Sequence, residues 1–275
     1  MKRLFILMVS FASSALCALP VGNPIDASLY TNGICTGGSL CDPCDPCFQW
    51  SDQFQVRIGY YGDYVFNRNM TSKVDSGNVR KTQLMTNAAL MVINLCNRID
   101  VFWTLGQSVI ELNSNGSVFS SDSTAMSIQY QPYFSWSVGG RATIGQWRKI
   151  HLGVETQFFR TRPNIDSVIR YADGDIAYLS YHNNGIYEEW QVGIGCAYTA
   201  TWAIPYIAIK SSAGRLKMDN YLVAFEGGSV VYTLHDLIQR QACGYAVGMT
   251  FVFNETTGIT FEGRFANEKA LYILL

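Results

Sequence analysis

The densest group of reactive side chains in this sequence is a cysteine cluster close to the amino terminus. Cys41, Cys44 and Cys47 alternate with Asp-Pro pairs, and Cys35 lies just upstream. In a reducing compartment such spacing would suggest a zinc or iron–sulfur site. In an exported chain it indicates disulfides instead, and the stiff Asp-Pro pairs are poorly suited to wrapping four thiolates around one ion. We therefore expect no metal and no cofactor.

Pairing within the chain cannot satisfy every cysteine. Eight are present, and the seven that follow residue 18 are an odd number, so at least one thiol stays free or joins another chain. Cys196 shares the apolar face of a predicted strand, where a small hydrophobic residue fits. The candidates for disulfides or cross-links are Cys35, Cys41, Cys44, Cys47, Cys96 and Cys243.

Catalytic chemistry has little support in the sequence. His151, His182 and His235 are not spaced as metal pairs, and neither a Gly-x-Ser-x-Gly elbow nor a P-loop occurs. Glu188 and Glu189 are adjacent at the start of a predicted strand, so their carboxylates point to opposite faces. We expect no catalytic residues and no enzyme activity.

The first eighteen residues have the pattern of a secretory signal peptide. Lys2 and Arg3 precede an apolar stretch that runs to Leu16, and Ala18 is a small residue suited to the cleavage site. Beyond it no run approaches the ~18 apolar residues of a spanning helix. An exported chain of this kind is either soluble outside the inner membrane or a β-barrel in an outer membrane.

Composition narrows the class further. Of the 275 residues, 48% are hydrophobic but only 15% are charged, against about 25% in ordinary soluble domains. The formal net charge of −1 leaves no cationic excess for binding nucleic acid. Sixteen Tyr, 15 Phe and 6 Trp argue against disorder.

Period-two alternation is the dominant pattern along the chain. Between Phe54 and Phe66 the even positions are apolar and the odd positions mostly polar, which is typical of a half-buried strand. Similar segments are Met126–Val138, Ile150–Phe159, Trp190–Tyr198, Cys243–Phe253 and Thr257–Asn267. Their length exceeds the five or six residues of most soluble strands and approaches the nine to eleven of a tilted membrane strand. Aromatic residues also stand at both ends of the apolar faces.

We therefore predict an all-β fold, a transmembrane antiparallel β-barrel of the outer membrane with an even number of strands, about 12–16. Residues 1–18 are predicted as the signal peptide, residues 19–52 as a Cys-rich segment and residues 53–275 as the barrel. A soluble β-sandwich is the alternative, which explains the alternation but not the strand length.

In a barrel, the side chains opposite the lipid face line the lumen. Because both charge signs occur there, we do not expect strong ion selectivity. The alternative is that Arg57 and Asp63 pair across neighbouring strands inside a plugged barrel. The pore-lining candidates are Gln55, Arg57, Asp63, Gln129, Gln131, Glu155, Gln157, Gln191, Glu262 and Arg264.

Several blocks resemble the chlamydial major outer membrane protein family. They are Leu19-Pro-Val-Gly-Asn-Pro24, the Cys41–Cys47 segment followed by Trp50, Arg57–Phe66, Thr86–Ala89, Arg98–Phe102 with Thr104–Gly106, Trp136–Ala142, Glu189–Gln191, Pro205–Ile207 and Cys243–Gly248. The resemblance covers essentially the whole chain. The chain is shorter than typical members and lacks a terminal Phe, so we interpret it as a short paralogue.

This resemblance implies an outer-membrane porin that lets small hydrophilic solutes and ions diffuse passively. It also implies a homotrimer in outer-membrane lipid, with possible disulfide links to other cysteine-rich envelope proteins. The alternative function is a structural envelope protein, surface antigen or adhesin that is cross-linked through disulfides. Nucleic acid is not an expected partner.

Overall fold

Antiparallel strands make up most of the computed structural model. It describes residues 19–29, 35–36, 54–72, 79–114, 126–170, 176–179, 184–218, 221–225, 228–232, 235–254, 256–266 and 268–275. The predicted signal peptide and Cys41, Cys44 and Cys47 lie outside these ranges. Among the described residues, no helix is long and apolar enough to cross a membrane.

One short helix and eighteen strands are present in the described part of the chain. They are α1 (Asp26–Leu29), β1 (Cys35–Thr36), β2 (Phe54–Arg68), β3 (Met70–Ser72), β4 (Val79–Leu95), β5 (Ile99–Ser114), β6 (Met126–Tyr130), β7 (Tyr133–Trp147), β8 (Ile150–Thr161), β9 (Ile165–Arg170), β10 (Ile176–Leu179), β11 (Ile186–Tyr198), β12 (Ala203–Lys217), β13 (Tyr221–Phe225), β14 (Gly228–Tyr232), β15 (Leu237–Gln239), β16 (Cys243–Val252), β17 (Gly258–Phe265) and β18 (Glu268–Leu274).

Ten of these strands close into a barrel. The order around the wall is β2, β4, β5, β7, β8, β11, β12, β16, β17 and β18, each antiparallel to the next. Strand β18 then returns to β2, with Glu268 opposite Arg68 and Leu274 opposite Tyr61. The predicted fold class, an antiparallel outer-membrane type of barrel with an even strand number, is confirmed.

The predicted strand number needs correction, because ten described strands form the closed wall rather than 12–16. The excess arises at one end of the barrel, where short strands pair with one another above the wall. There β6 pairs with β9, β9 with β10, β10 with β13, and β15 with β3. These short strands do alternate in side-chain direction, as predicted from the sequence. They lengthen the wall at the loop end, however, and do not add strands to its circumference.

The two ends of the barrel differ in their connections. At the turn end, strands are joined by short links at residues 96–98, 148–149, 199–202 and 253–257, and the β2 start and the carboxyl terminus lie there. Cys96 and Asn97 form the first link with φ of 54° and 51°, the left-handed conformation that tight hairpin turns require. The opposite end, with the longer connections and the additional strands, is called the loop end.

Inside and outside faces follow the alternation. Ile58 is 68% exposed and Ile194 is 46% exposed on the outer face, whereas Gln55 and Gln191 are 7% and 0% exposed on the inner face. Trp190 and Tyr198 bound the apolar stretch of β11, and Trp147, Trp202 and Phe253 are exposed at the turn end. This apolar band with aromatic edges is the surface that a bilayer requires.

The predicted segment Met126–Val138 is two strands, and its apolar face changes sides. Ile128 and Tyr130 on β6 are buried inside, whereas Phe134 on β7 is exposed outside. Gln107 pairs with Phe134 and Glu111 with Gln129, so β6 and β7 together have one more residue than the stretch of β5 that they face. Such a bulge at Gln131-Pro132 exchanges the two faces of the strand, so that even-numbered residues point inward on β6 and outward on β7.

The loop end of the interior is closed by an apolar cluster. It joins inward residues of the barrel wall to residues of the additional strands, all buried: Val65, Met70, Leu84, Ile110, Leu112, Ile128, Tyr130, Phe159, Ile165, Val168, Tyr187, Leu216 and Leu237. Leu19, from the amino-terminal segment, belongs to the same cluster. The polar part of the interior therefore lies between this cluster and the turn end.

Candidate functional site: the barrel interior

Glu268 is the centre of the ion network on the loop-end side of the interior. Its carboxylate contacts Arg68 at 2.9 Å, Lys210 at 2.6 Å and Arg264 at 3.2 Å. Arg68 also contacts Glu189 at 2.6 Å, and Arg264 pairs with Asp63. These side chains are 0–1% exposed. Strands β2, β11, β12, β17 and β18 each contribute, so the network ties half of the wall together.

A second network lies nearer the turn end. Arg141 pairs with Asp26 and contacts Glu155 at 3.2 Å, and Arg57 pairs with Asp100. Burial raises the pKa of the Asp26 carboxyl, and the charges of Arg141 and Arg57 oppose that rise. A cavity of about 170 Å³ adjoins these groups and reaches the carboxyl-terminal Leu275.

The inner face also carries neutral side chains and a further acidic one. Tyr206 donates its hydroxyl proton to Glu262 at 2.9 Å, and Gln157 donates to Ser137 at 2.8 Å. Hydroxyl pairs at Thr86–Ser108, Thr104–Ser137 and Thr250–Thr260 lie 2.6–2.7 Å apart. A wall of this kind suits water and hydrophilic solutes, because it offers donors and acceptors all round.

Residues 19–29, called the inner segment below, lie within this wall. The interior of an eight-stranded barrel is just wide enough for its own side chains. The ten-stranded wall here is wider, and its interior also contains the inner segment. Leu19, Val21, Asn23, Ile25 and Asp26 are each 0–2% exposed. Residues 19–29 belong to the predicted Cys-rich segment 19–52, and they lie inside the barrel.

The main chain of the inner segment is hydrogen-bonded to the wall along its length. Gln191 accepts from the Leu19 nitrogen at 3.0 Å and donates to the Pro20 carbonyl at 2.5 Å. Glu262 accepts from the Val21 nitrogen at 3.1 Å. Further along, Arg57 donates to the Asp26 carbonyl and Asn94 to the Ala27 carbonyl. These bonds satisfy backbone groups that would otherwise be buried without partners.

Glycines on the inner face make room for the inner segment. Gly153 and Gly195 face each other across β8 and β11. A Cβ atom at Gly153 would lie 1.8 Å from the Pro24 carbonyl oxygen, and one at Gly193 would lie 2.9 Å from Val21. Close approach of another backbone is a usual reason for glycine inside a strand.

Eight of the ten pore-lining candidates point into this interior: Gln55, Arg57, Asp63, Glu155, Gln157, Gln191, Glu262 and Arg264. The other two do not join them. Gln129 lies opposite Glu111 on the outer side of the wall extension, and Gln131 is exposed, with its amide donating to Asp166. Arg57 and Asp63 do not pair with each other; their partners are Asp100 and Arg264.

Sequence reasoning missed several of the most connected residues. Arg68, Asp100, Arg141, Glu189, Lys210 and Glu268 were not among the candidates, although each is buried in an ion pair. Lys210 could have been found from the alternation of β12, because it lies on the same face of that strand as Tyr206 and Ala208. Glu188 and Glu189 do face opposite ways, with 28% and 0% of their side chains exposed.

The described cross-link candidates lie at the two ends of the barrel. Cys96 is exposed in the first turn-end link, and Cys243 is an exposed free thiol where β16 begins at the loop end. Cys35 is in β1, opposite Val56. Among the described residues, no group of three His, Cys, Asp or Glu is placed to hold a metal ion.

Comparison with known proteins finds chlamydial outer membrane proteins to which this chain is similar. The family model described as Chlamydia major outer membrane protein matches residues 1–79. A major outer membrane porin of Chlamydia pneumoniae is 27% identical, with 99% of this chain and 98% of the relative covered. The serovar D porin of Chlamydia trachomatis is 26% identical, with the same coverage of both chains. This chain is thus similar in sequence, over almost its whole length, to the chlamydial major outer membrane porins.

The relatives are longer than this chain. The alignment to the Chlamydia pneumoniae porin has 383 positions, against 275 residues here, so the shared ends enclose internal stretches that this chain lacks. Among solved structures, the outer membrane protease OmpT of Escherichia coli matches with a TM-score of 0.40 and 12% identity, covering 83% of this chain and 95% of that one. With its apolar band and closed wall, this chain is a multi-pass β-barrel of the outer membrane.

Proposed function

We propose that this chain is an outer-membrane porin through which small hydrophilic solutes and ions diffuse passively. The observation that carries the proposal is the division of the barrel into an apolar outer face and a hydrogen-bonding inner face around one enclosed interior. Six carboxylates and five cationic side chains line the described wall: Asp63, Asp100, Glu155, Glu189, Glu262 and Glu268, with Arg57, Arg68, Arg141, Lys210 and Arg264. Nearly balanced charge favours weak ion selectivity.

The proposal predicts stepwise conductance when the purified, folded protein is added to planar lipid bilayers. Because the inner segment fills the interior, the openings are expected to be brief, and a variant lacking residues 19–29 should stay open longer. Both proteins must be shown to be folded, and a change in their migration on a gel after boiling shows this. A correctly folded barrel that never conducts, with or without residues 19–29, contradicts a porin function.

We also propose that the protein is a homotrimer, and a polar patch on the outer face supports this. Tyr64 donates its hydroxyl proton to Asn87 at 2.7 Å, and Asn87 lies opposite Gln107 on β5. Met85 and Val109 are exposed on the same face, so the amides lie inside the apolar band. Amide groups are costly in hydrocarbon unless they are hydrogen-bonded, and a second copy of the patch offers matching donors and acceptors.

Replacing Gln107 by leucine is expected to weaken the trimer by about 1–2 kcal/mol per lost contact. Chemical cross-linking of the protein in vesicles should then show more monomer than in the unmodified protein. Leu105→Met, on the same face and strand, is the matched control and should leave the distribution unchanged. If Gln107→Leu trimerises as well as the control, this patch is not the interface.

We further propose that the exposed thiols link the barrel to other cysteine-rich envelope proteins. Cys243 lies at the loop end and Cys96 at the turn end, which in bacterial barrels is the periplasmic side. Envelopes separated on non-reducing gels should contain high-mass species that collapse with reductant. Cys96→Ser is expected to remove part of these species, and a purely monomeric band in the unmodified protein would contradict the proposal.

A further inference from the structure

The position of the Leu19 nitrogen has a chemical consequence if the leader is removed after Ala18, as the sequence predicts. That nitrogen then becomes an α-ammonium group inside the barrel, 3.0 Å from Gln191 Oε1. The same glutamine contacts Glu155 at 3.5 Å. With Asp26, the described interior holds seven carboxylates against five cations, so the new ammonium reduces an acidic excess. Lys210 donates to the Leu19 carbonyl at 3.1 Å and holds the terminal residue from the other side.

We propose that the mature amino terminus of this chain is itself the ligand of the barrel interior: residues 19–29 dock there through the α-ammonium and the main chain, and form a plug that must leave before solutes pass. The role of the plug in conduction rests on the proposed porin function; the docking does not.

Two independent features show a wall built for this ligand. The inner face binds backbone groups of residues 19, 20, 21, 26 and 27 through side chains of five different strands. The same face carries glycine where any side chain would collide with Pro24 or Val21. A wall shaped only for water would need neither feature.

Gly153→Ala is the variant that tests docking most directly. The added methyl group would lie 1.8 Å from the Pro24 carbonyl oxygen, which is backbone and can yield only by moving the segment. Gly145→Ala on the adjacent strand is the matched control, because its Cβ would meet only Leu152, at 3.8 Å. Both variants should fold, since alanine in an extended strand conformation is unstrained.

Docking is measured on the folded protein by reaction of its α-amino group with a succinimidyl ester, followed by mass spectrometry of the amino-terminal tryptic peptide. We expect slow labelling in the unmodified protein and in Gly145→Ala. In Gly153→Ala, labelling should be faster by about tenfold or more, because the undocked population rises as the docked state loses its fit. A terminus other than Leu19, or equally fast labelling in all three proteins, overturns the docking.

A cysteine pair tests the contact itself. In a chain whose natural cysteines are replaced by serine, Val21→Cys with Gly193→Cys should form a disulfide, because the two Cβ atoms would be 3.7 Å apart, within the range that disulfides adopt. The oxidised protein should stay closed in planar bilayers and open after reduction. No cross-link in a folded barrel overturns the docking. A cross-linked protein that conducts as before overturns the plug, while the porin function stands.

One outcome separates the two proposals. If the cross-link forms and labelling is slow, yet neither the reduced protein nor the variant lacking residues 19–29 conducts, then the porin function fails and gating fails with it. Docking of the amino terminus would still be supported, as a structural element of a closed barrel.

Discussion

Replacing Glu268 by alanine is expected to destabilise the folded barrel by about 3–5 kcal/mol, the usual cost of removing one partner from a buried ion pair. Three cations converge on this carboxylate, and all are 0–1% exposed. Without it, Glu189 and Asp63 remain as the described acidic partners of Arg68 and Arg264, and Lys210 loses its ion pair. Urea titration in lipid vesicles, with the folded fraction read from gel migration before boiling, measures the loss.

Two further variants separate charge from packing. Lys269→Ala changes the next residue on the opposite, exposed face and should stay within about 0.5 kcal/mol of the unmodified protein. Adding Lys210→Met to Glu268→Ala should restore part of the lost stability, since the uncompensated ammonium is then gone. If Glu268→Ala and Lys269→Ala unfold at the same urea concentration, the network does not hold the wall together.

The strands that could be predicted are those with one apolar and one polar face. On β2, β8, β11, β16 and β17 the outer residues are apolar and the inner ones mostly polar or small, so alternation alone assigns both faces correctly. Strand β4 could not be assigned this way. Its inner residues Leu90 and Val92 are as apolar as its outer residues Met91 and Ile93, because they pack against other interior side chains at the turn end.

Alternation could predict which side chains point inward but not which of them would meet. Arg68 and Glu189 are 121 residues apart in the chain, and Arg264 and Asp63 are 201 apart. Such pairs depend on barrel closure and register, which a single sequence does not specify. The direction of Gln129 could not be predicted either, because a one-residue bulge near Pro132 places its side chain on the outer side of the wall.

The inner segment could not be predicted because nothing in its own sequence marks it as buried. Leu19 to Leu29 has neither the period of a strand nor that of a long helix, and its burial is created by groups on the wall. The one available signal was indirect. Gly153, Gly193 and Gly195 fall on the inner face of two otherwise regular strands, and inner-face glycine indicates close approach of another backbone.

The second large effect is expected on the outer face. Ile207 is 63% exposed and lies between Pro205 and Ile209 in the exposed apolar row of β12, beside Cys196 and Val247 on the neighbouring strands. Because this face contacts lipid in a membrane barrel, Ile207→Arg should cost about 2–4 kcal/mol when the protein folds into vesicles, as a cation near the bilayer midplane does. Ile99→Arg is the matched control. Ile99 is 46% exposed at the turn-end start of β5, where the cost should fall to about 0–1 kcal/mol.

Depth dependence is what makes this pair of variants decisive. On the surface of a water-soluble barrel both arginines would be solvated and both changes nearly neutral. In the core of a soluble sandwich, the Ile207 variant would be destabilised in detergent-free buffer as much as in lipid. Only a face that lies against acyl chains makes Ile207→Arg costly, makes Ile99→Arg cheap, and makes the difference depend on the bilayer. Equal costs at the two positions in vesicles would therefore contradict the contact of this face with lipid, and with it the membrane-spanning barrel on which a porin function depends.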